Sequence, residues 1–168
     1  MQPTRSHVRE VDLLYCEHGS ALLLFAMAII GERSRAQDAV QQVFLKLLEH
    51  GNLGQVVDVK AYLFACVRNA ALNDSKIRRR DVELGNESAW FDPPNRDITG
   101  EINLRRALRA LPNGQREVTI LHIWGELTFA QIAVVLNISS NTAASRYRYA
   151  LEKLREAMCN KEDFHARP

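Results

Sequence analysis

Apolar residues recur at helical spacing along nearly the whole chain, and no stretch of four or more residues alternates as a half-buried strand does. The pattern therefore predicts an all-α protein. In the first half, residues 8–30 form one long helical pattern that Gly31 ends, and residues 60–79 form another. Between them lies a stripe of apolar residues at i, i+3, i+4, i+7 and i+8, which predicts an amphipathic helix: Val40, Val43, Phe44, Leu47 and Leu48.

Two capping boxes indicate where helices begin. Ser34 is followed three residues later by Gln37, and Thr128 is followed at the same spacing by Gln131. In such a pair the hydroxyl accepts from the backbone amide three residues on, and the glutamine side chain accepts from the amide of the capping residue. We therefore expect one helix to start after Ser34 and another after Thr128.

Residues 81–101 differ in character from both halves of the chain. They contain Pro93 and Pro94, six acidic residues and a single basic residue, Arg96, and they carry no helical stripe of useful length. This composition predicts an acidic linker; an irregular surface loop within one domain is the less favoured alternative, because a helical pattern restarts at Ile102. The predicted organisation is an N-terminal helical domain, an acidic linker, a four-helix C-terminal domain and a tail, at residues 1–80, 81–101, 102–158 and 159–168.

The second half carries the pattern of a helix-turn-helix. Residues 128–136 and 141–158 are helical patterns separated by a short turn. Ala133 is small where two such helices must cross closely, Ile138 is an apolar residue in the turn, and Ser139 or Ser140 offers an N-cap for the second helix. The second helix is predicted to bury a stripe consisting of Ala143, Tyr147, Ala150, Leu151, Leu154 and Met158.

The opposite face of that second helix is small, polar and basic near its start. The N-terminal part of such a helix enters the major groove of DNA, where arginine, serine and asparagine contact base edges or phosphates. The alternative is an amphipathic core helix with a solvated charged face. The predicted DNA contacts are Ser140, Asn141, Ser145, Arg146, Arg148 and Tyr149.

Composition narrows the class of protein. The chain of 168 residues is 46% hydrophobic and 25% charged, as expected for a folded protein, and its net charge of +2 says little about nucleic acid. Three cysteines far apart in sequence fit a reducing cytosol. The longest apolar run, residues 21–30, is about half the roughly 20 residues that span a bilayer. We therefore expect a cytoplasmic protein without a membrane segment.

No pattern of an active site is present in the sequence. Cys16 and His18 are close together, but no second metal-binding pair follows at ligand spacing, and neither a Gly-rich phosphate loop nor an H-E-x-x-H motif occurs. We therefore expect a protein that is not an enzyme and that needs no cofactor or metal.

The helix-turn-helix residues resemble the C-terminal domain of extracytoplasmic-function (ECF) sigma factors of the sigma-70 family. The resemblance lies in Leu111-Pro112, Arg116-Glu117-Val118, Gly125-Glu126-Leu127-Thr128, Gln131-Ile132-Ala133, Leu136, and Ser145-Arg146 through Arg155. A second, separate resemblance covers the first half, in Asp38 to Leu47, Ala61 to Phe64, Arg68-Asn69 and Arg78-Arg79-Arg80. Two departures are Asn137, where the family commonly has glycine, and Ala144, where a basic residue is common.

This resemblance implies a sigma factor that directs promoter-specific transcription initiation. The first domain would bind the beta-prime clamp helices of RNA polymerase core and open the minus-ten element. The second domain would read the minus-thirty-five element as duplex and contact the beta flap, and an anti-sigma factor is a further expected partner. The implied polymerase contacts, on the outward face of the second helix around an exposed leucine, are Asp38, Gln41, Gln42, Leu45 and Glu49.

The helix from Lys60 onwards is basic, which suits the backbone of a separated strand. Tyr62 and Phe64 are candidates for stacking on an unpaired base, and packing in the core is an equally weighted alternative for both. The minus-ten residues are therefore predicted to be Tyr62, Phe64, Arg68, Asn69, Lys76, Arg78, Arg79 and Arg80.

Two other functions are compatible with the sequence. A conventional transcription regulator, with a sensing or dimerising first half, explains the helix-turn-helix equally well. It does not explain the match from Asp38 to Leu47 or the basic helix that follows. An adaptor with a degenerate helix-turn-helix that does not bind DNA is the more distant alternative, and Ala144 gives it slight support.

Overall fold

A computed structural model describes the backbone of residues 5–50, 53–81 and 99–159, and the side chains of residues 5–50, 53–74 and 104–159. Within these ranges the chain forms helices and no strand, so the prediction of an all-α fold is confirmed. The helices are α1 (Arg5–Ile30), α2 (Arg33–His50), α3 (Val59–Asp81), α4 (Thr99–Ala110), α5 (Asn113–Ile123), α6 (Phe129–Leu136) and α7 (Ser140–Cys159), with a 3₁₀ turn at Leu53–Gln55.

Helix α1 is the centre of the first half. It packs against α2, α3 and α5, and its Leu22, Phe25 and Ala26 are fully buried. By length and composition alone α1 could cross a membrane, but the buried core helix of a soluble protein meets the same criterion. Gly31 ends the helix as predicted, because it adopts a positive φ of 82° that an L side chain rarely adopts.

Helix α4 packs against α7 in the second half of the chain. Ala107, Leu108 and Leu111 form a small cluster with Ala150 and Leu154, separate from the main core. This cluster holds the first helix of the C-terminal half against the last one.

The guanidinium of Arg116 joins α4 to α5. It donates hydrogen bonds to the carbonyl oxygens of Leu108, Arg109 and Leu111, at 3.1, 2.9 and 2.9 Å, around the C-terminal end of α4, where carbonyl oxygens lack partners within the helix. It also reaches the carbonyl oxygen of Ala28 in α1 at 3.2 Å. Burial lowers the pKa of Arg116 from its ordinary value.

One of the two predicted capping boxes is confirmed and the other is wrong. The amide of Thr128 donates to Gln131 Oε1 at 2.7 Å, and the amide of Gln131 donates to Thr128 Oγ1 at 3.3 Å. Helix α2, however, begins at Arg33, so that Ser34 lies inside its first turn. The Ser34 hydroxyl donates instead to Glu32 Oε1 at 2.9 Å. The residue before the helix is Glu32, whose carbonyl oxygen accepts from the amide of Ala36 at 3.0 Å.

The two halves of the chain pack against each other. Buried residues of α5 and α6, among them Leu121 and Ile132, belong to the same hydrophobic core as Phe25 and Phe64 of the first half. The division into separate domains therefore stays a prediction. Most of the predicted linker, residues 82–98, lies outside the described residues, and α3 and α4 extend into it as far as Asp81 and back to Thr99.

Candidate nucleic-acid and partner interfaces

The turn of the helix-turn-helix has the predicted form. Asn137 adopts the left-handed conformation, with φ 54° and ψ 52°, which asparagine tolerates better than most residues. The amide of Ile138 donates to the carbonyl oxygen of Ala133 at 3.0 Å, and the Ile138 side chain packs on the main core. Ser139 caps α7, because its hydroxyl oxygen accepts from the amide of Thr142 at 3.0 Å. The start of α7 is therefore held in a fixed direction.

The outward face of α7 carries several of the predicted DNA contacts. Ser140, Asn141, Arg148 and Tyr149 are exposed, and Ser145 is half-buried. The guanidinium carbon of Arg148 lies 5.4 Å from the centre of the Tyr149 ring, so the two side chains restrain each other. This face can offer a cation, hydroxyls and an amide to a DNA groove.

Arg146 lies elsewhere. Its side chain is half-buried, and a Cβ placed on Gly114 would come within 2.9 Å of its Nη1 atom. The guanidinium therefore packs over the first turn of α5 beside Gly114. Arg146 and Arg148 are close in sequence, but only Arg148 is exposed.

The predicted buried stripe of α7 is correct in part. Ala143, Ala150 and Leu154 are buried, and Tyr147 packs against the rings of His122 and Phe129. Leu151 and Met158 are instead exposed, so their predicted burial is wrong. The reason is that α4 covers the side of α7 on which Ala150 and Leu154 lie.

A pocket of about 360 Å³ lies between α2 and α3 and includes some of the predicted minus-ten residues. Tyr62 and Asn69 are exposed at this pocket. A hydrogen bond with the thiol of Cys66 is the largest of the effects that raise the pKa of the Tyr62 hydroxyl. The pocket is lined by Gln42, Val43, Lys46, Leu47, His50, Tyr62, Cys66, Asn69, Ala70 and Asn73.

Asn73 and Lys46 are pocket residues that were not predicted from the sequence. A signal for Asn73 was present, because Tyr62, Cys66, Asn69 and Asn73 follow each other at helical spacing and so share one face of α3. Their neighbour Gln42 was predicted to contact the polymerase, and the structure places it at this pocket as well.

Of the two alternatives predicted for Phe64, stacking on a base or packing in the core, the structure shows packing in the core. It is fully buried, and its ring meets that of Phe25 edge to face with centroids 5.7 Å apart. Its Cζ atom would lie 3.1 Å from a Cβ placed on Gly125 at the end of α5. Phe64 therefore cannot stack on a base while the two halves are packed together.

Arg68 is likewise occupied by the second half. Its Nε donates to Glu117 Oε2 of α5 at 3.1 Å, and the two side chains are 24% and 13% exposed. The side chains of the other predicted basic residues of α3, which are Lys76, Arg78, Arg79 and Arg80, lie outside the described residues.

The predicted polymerase-binding residues share the exposed face of α2. Leu45 is 56% exposed. Beside this helix, a groove of about 520 Å³ runs between α1 and α2, and Tyr15 lines it with its ring edge-on to Phe44 at 5.0 Å. Tyr15 was not predicted, because its place in the long apolar pattern of α1 concealed its exposure. All of the predicted polymerase-binding residues are exposed on α2, and they are Asp38, Gln41, Gln42, Leu45 and Glu49.

The sequence matches known families in both halves. Residues 14–82 match the family described as Sigma-70 region 2, and residues 101–154 match the family described as Sigma-70, region 4. The ECF RNA polymerase sigma factor SigL of Mycobacterium tuberculosis is 28% identical over 151 residues, which cover 84% of this chain and 85% of SigL. The ECF RNA polymerase sigma factor EcfG of Rhodopseudomonas palustris is 31% identical over 139 residues, covering 80% and 77% of the two chains.

Two solved structures have a similar fold. The sigma factor RpoE in complex with the anti-sigma factor NepR, from Bartonella quintana, superposes with a TM-score of 0.78 at 23% identity, over 94% of this chain and 99% of that one. The structure of CnrH in complex with the cytosolic domain of CnrY gives a TM-score of 0.62 at 22% identity, over 91% and 90% of the two chains.

Proposed function

This chain belongs to the ECF sigma factors of the sigma-70 family, which bind RNA polymerase core and direct promoter-specific transcription initiation, and we propose how its surfaces divide that task. The observation that carries the assignment is the pair of region 2 and region 4 matches in chain order, each on the half with the corresponding helices. A conventional regulator is not favoured, because it leaves the region 2 match unexplained. The protein acts in the cytoplasm by binding rather than by catalysis.

Helix α7 reads the minus-thirty-five element in the major groove. Its support is the capped start of the helix and the exposure of Asn141 and Arg148 on one face, with Ser145 between them. Tyr149 restrains Arg148 and borders the same face. Arg146 contributes through its packing on Gly114, which sets the position of α7 on α5.

The pocket between α2 and α3 receives an unpaired base of the separated minus-ten strand. Tyr62 offers an exposed ring at its edge, and aromatic rings bind bases of any sequence by stacking. The side-chain amides of Gln42, Asn69 and Asn73 provide donors and acceptors for a base edge. Lys46 provides a positive charge for the adjoining phosphate.

The exposed face of α2 binds the polymerase clamp. Leu45 is an apolar side chain surrounded by polar ones, which is the composition of an interface centre with its rim. The neighbouring groove with Tyr15 extends the apolar surface onto α1. In region 4, exposed Ile123 and Trp124 at the end of α5 are available to the beta flap.

The two solved structures with a similar fold are complexes, and one of them is named as a sigma factor with its anti-sigma factor. We expect an anti-sigma factor to regulate this chain in the same way. We also expect residues 1–80 and 102–158 to act as two domains joined by the linker 81–101. Limited proteolysis within 82–98 should then release two helical fragments.

Run-off transcription with polymerase core and a promoter library tests the function. A sigma factor makes initiation depend on its presence, whereas a regulator or an adaptor does not. The Leu45→Arg variant should lose co-purification with core and lose transcripts while its helical content stays unchanged. Leu13→Arg is the matched control, because Leu13 is an equally exposed leucine on α1, and it should retain both. Equal core binding by the Leu45→Arg variant and the wild type would refute the assigned face.

A further inference from the structure

The exposed face of α7 carries an alanine between two longer polar side chains. Asn141, Ala144 and Arg148 lie at i, i+3 and i+7 and so share one side of the helix, opposite the buried Ala143 and Ala150. Asn141 and Arg148 are exposed, and Ala144 is half-buried. When the two longer side chains reach into a DNA groove, the methyl group of Ala144 therefore faces the bases between them.

A methyl group in a major groove can distinguish one base from the others. The side chain of Ala144 has neither a donor nor an acceptor, so it forms no hydrogen bond with a base edge. Thymine is the base of DNA whose major-groove edge carries an apolar group, the 5-methyl, and an alanine side chain can contact that methyl. Ala144 therefore favours a thymine, because the contact removes both methyl groups from water.

The guanidinium of Arg148 is available to a base and is held in place by Tyr149. Arg148 has no carboxylate partner among the residues that the structure describes, and its guanidinium carbon lies 5.4 Å from the centre of the Tyr149 ring. This contact restricts the arginine before DNA binds, which lowers the entropy cost of placing it in the groove. A guanidinium so placed can donate to O6 and N7 of one guanine at the same time. Tyr149 is thus a positioning residue for Arg148.

The spacing of the two side chains sets the spacing of the two bases. Arg148 follows Ala144 by four residues, which is a rise of about 6 Å along the helix. Successive base pairs are about 3.4 Å apart, so a helix that follows the groove places the two side chains about two base pairs apart. We propose that α7 selects a minus-thirty-five duplex with a guanine at Arg148 and a thymine about two base pairs away at Ala144. This assignment rests on the reading of the minus-thirty-five element by α7 proposed above.

The test uses RNA polymerase core reconstituted with the full chain and a promoter library whose minus-thirty-five region is randomised. Sequencing the run-off transcripts gives the preference at each base pair. Arg148→Ala should remove a guanine preference of about five- to 150-fold at one position and leave the other positions unchanged. Arg155→Ala is the matched control, because it removes an exposed arginine two turns further along the same face, and it should leave every preference unchanged.

Uracil in place of thymine tests the contact between the two methyl groups. Uracil differs from thymine only in lacking the 5-methyl, so a promoter with uracil about two base pairs from the guanine should give about fourfold less transcript. Ala144→Gly removes the partner of that methyl, and this variant should use the two promoters equally. Each comparison is between two promoters with the same protein, so a loss of stability in Ala144→Gly does not affect the ratio.

Two substitutions of Tyr149 test its positioning role. Tyr149→Phe keeps the ring and should keep the guanine preference, whereas Tyr149→Ala should reduce that preference about two- to fivefold. A purely structural defect would instead lower the transcript yield from all promoters alike. Equal preferences in the two variants would refute the positioning role.

The same library separates the base assignment from the proposed function. An unchanged guanine preference in Arg148→Ala, or equal use of thymine and uracil by the wild type, would overturn the assignment while the dependence of initiation on this chain stands. If transcripts appear without selection at any minus-thirty-five position, the proposed role of α7 fails, and the base assignment fails with it.

Discussion

Helices α7 and α3 were both predicted to face DNA, but the predicted residues on the two helices differ in their exposure. On α7, Asn141 and Arg148 are exposed, as the pattern of the helix indicates. On α3, Tyr62 is exposed but Phe64 is fully buried and Arg68 is paired with Glu117. The exposure of α7 follows from residues close to it in sequence, whereas the burial on α3 depends on α5, about fifty residues away.

The difference has a physical origin in how each helix is fixed. The direction of α7 is set by its own turn, through the left-handed Asn137 and the Ser139 cap, which are local hydrogen-bonding features. The covered face of α3 is set by the packing of one half of the chain on the other. A helical pattern reveals which residues share a face but not what covers that face.

The largest expected effect comes from Phe64→Ala. Removing a fully buried aromatic ring should lower the free energy of unfolding by about 3–5 kcal/mol, because the contacts with Phe25 and the end of α5 are lost and a cavity remains. Tyr62→Ala is the comparison on the same helix, and it should lower the free energy by less than about 1 kcal/mol because its ring is exposed.

Chemical denaturation followed by circular dichroism measures both variants. The affinity for single-stranded DNA should rank the two variants in the opposite order. Tyr62→Ala should lower this affinity more than Phe64→Ala does, because the exposed ring of Tyr62 contributes by stacking. A loss below about 1 kcal/mol for Phe64→Ala would mean that its ring is not part of the core in solution. The contrast between the two surfaces of α3 would then disappear.

Local signals in the sequence predicted the fold more fully than the site. The Thr128–Gln131 box was correct because α6 begins directly after Thr128, whereas Ser34 lies in the first turn of α2 because that helix begins one residue earlier, at Arg33. Every polymerase-binding residue predicted on α2 is exposed, but Gln42 also lies at a pocket that only the packing of α2 on α3 creates. Phe64 is buried because other helices cover its side of α3, and Leu151 is exposed because α4 covers a different side of α7.

A smaller effect is expected on α7, where Arg148 and Arg155 share a face two turns apart. Arg148 lies in the part of the helix that enters a groove, and Arg148→Ala should cost about 1–3 kcal/mol of binding and relax the preference at one base pair if it contacts a base. If it contacts a phosphate, all sequences should weaken alike and the salt slope should fall by about one unit.

Arg155→Ala should cost less than Arg148→Ala, because Arg155 lies beyond the part of a recognition helix that normally contacts bases. Binding of both variants to the preferred promoter duplex, measured at several salt concentrations, gives the comparison. Equal losses, or a larger loss for Arg155→Ala, would mean that α7 docks in a different orientation.

The smallest expected effect concerns Asp58, which joins the two regions at their edge. Asp58 Oδ1 accepts from the amide of Ala61 at 2.9 Å and so caps α3, while Oδ2 accepts from Gln131 Nε2 at 2.7 Å in α6. Asp58→Ala loses both bonds and should lower the free energy of unfolding by about 0.5–2 kcal/mol. Asp58→Asn keeps the cap, but its amide group faces that of Gln131 and should cost about 0.5–1 kcal/mol.

Gln131 cannot turn its amide to relieve this contact, because its Oε1 already accepts from the amide of Thr128. Protonation of Asp58 has the same consequence as the Asp58→Asn substitution. Both carboxylate oxygens already accept hydrogen bonds, from Ala61 and Gln131, so an added proton on either oxygen competes with one of these donors. These two hydrogen bonds are the main causes that lower the pKa of Asp58 below its ordinary value. The stabilisation is therefore complete above the pKa of the unfolded chain, about 4, and is lost as the pH falls through the lower pKa of the folded state. Thermal unfolding of the wild type and of the Asp58→Asn variant, from pH 7 to pH 3, should show their difference in stability shrinking in that acidic range. A difference that is constant with pH would show that the charge of Asp58 does not hold the halves together.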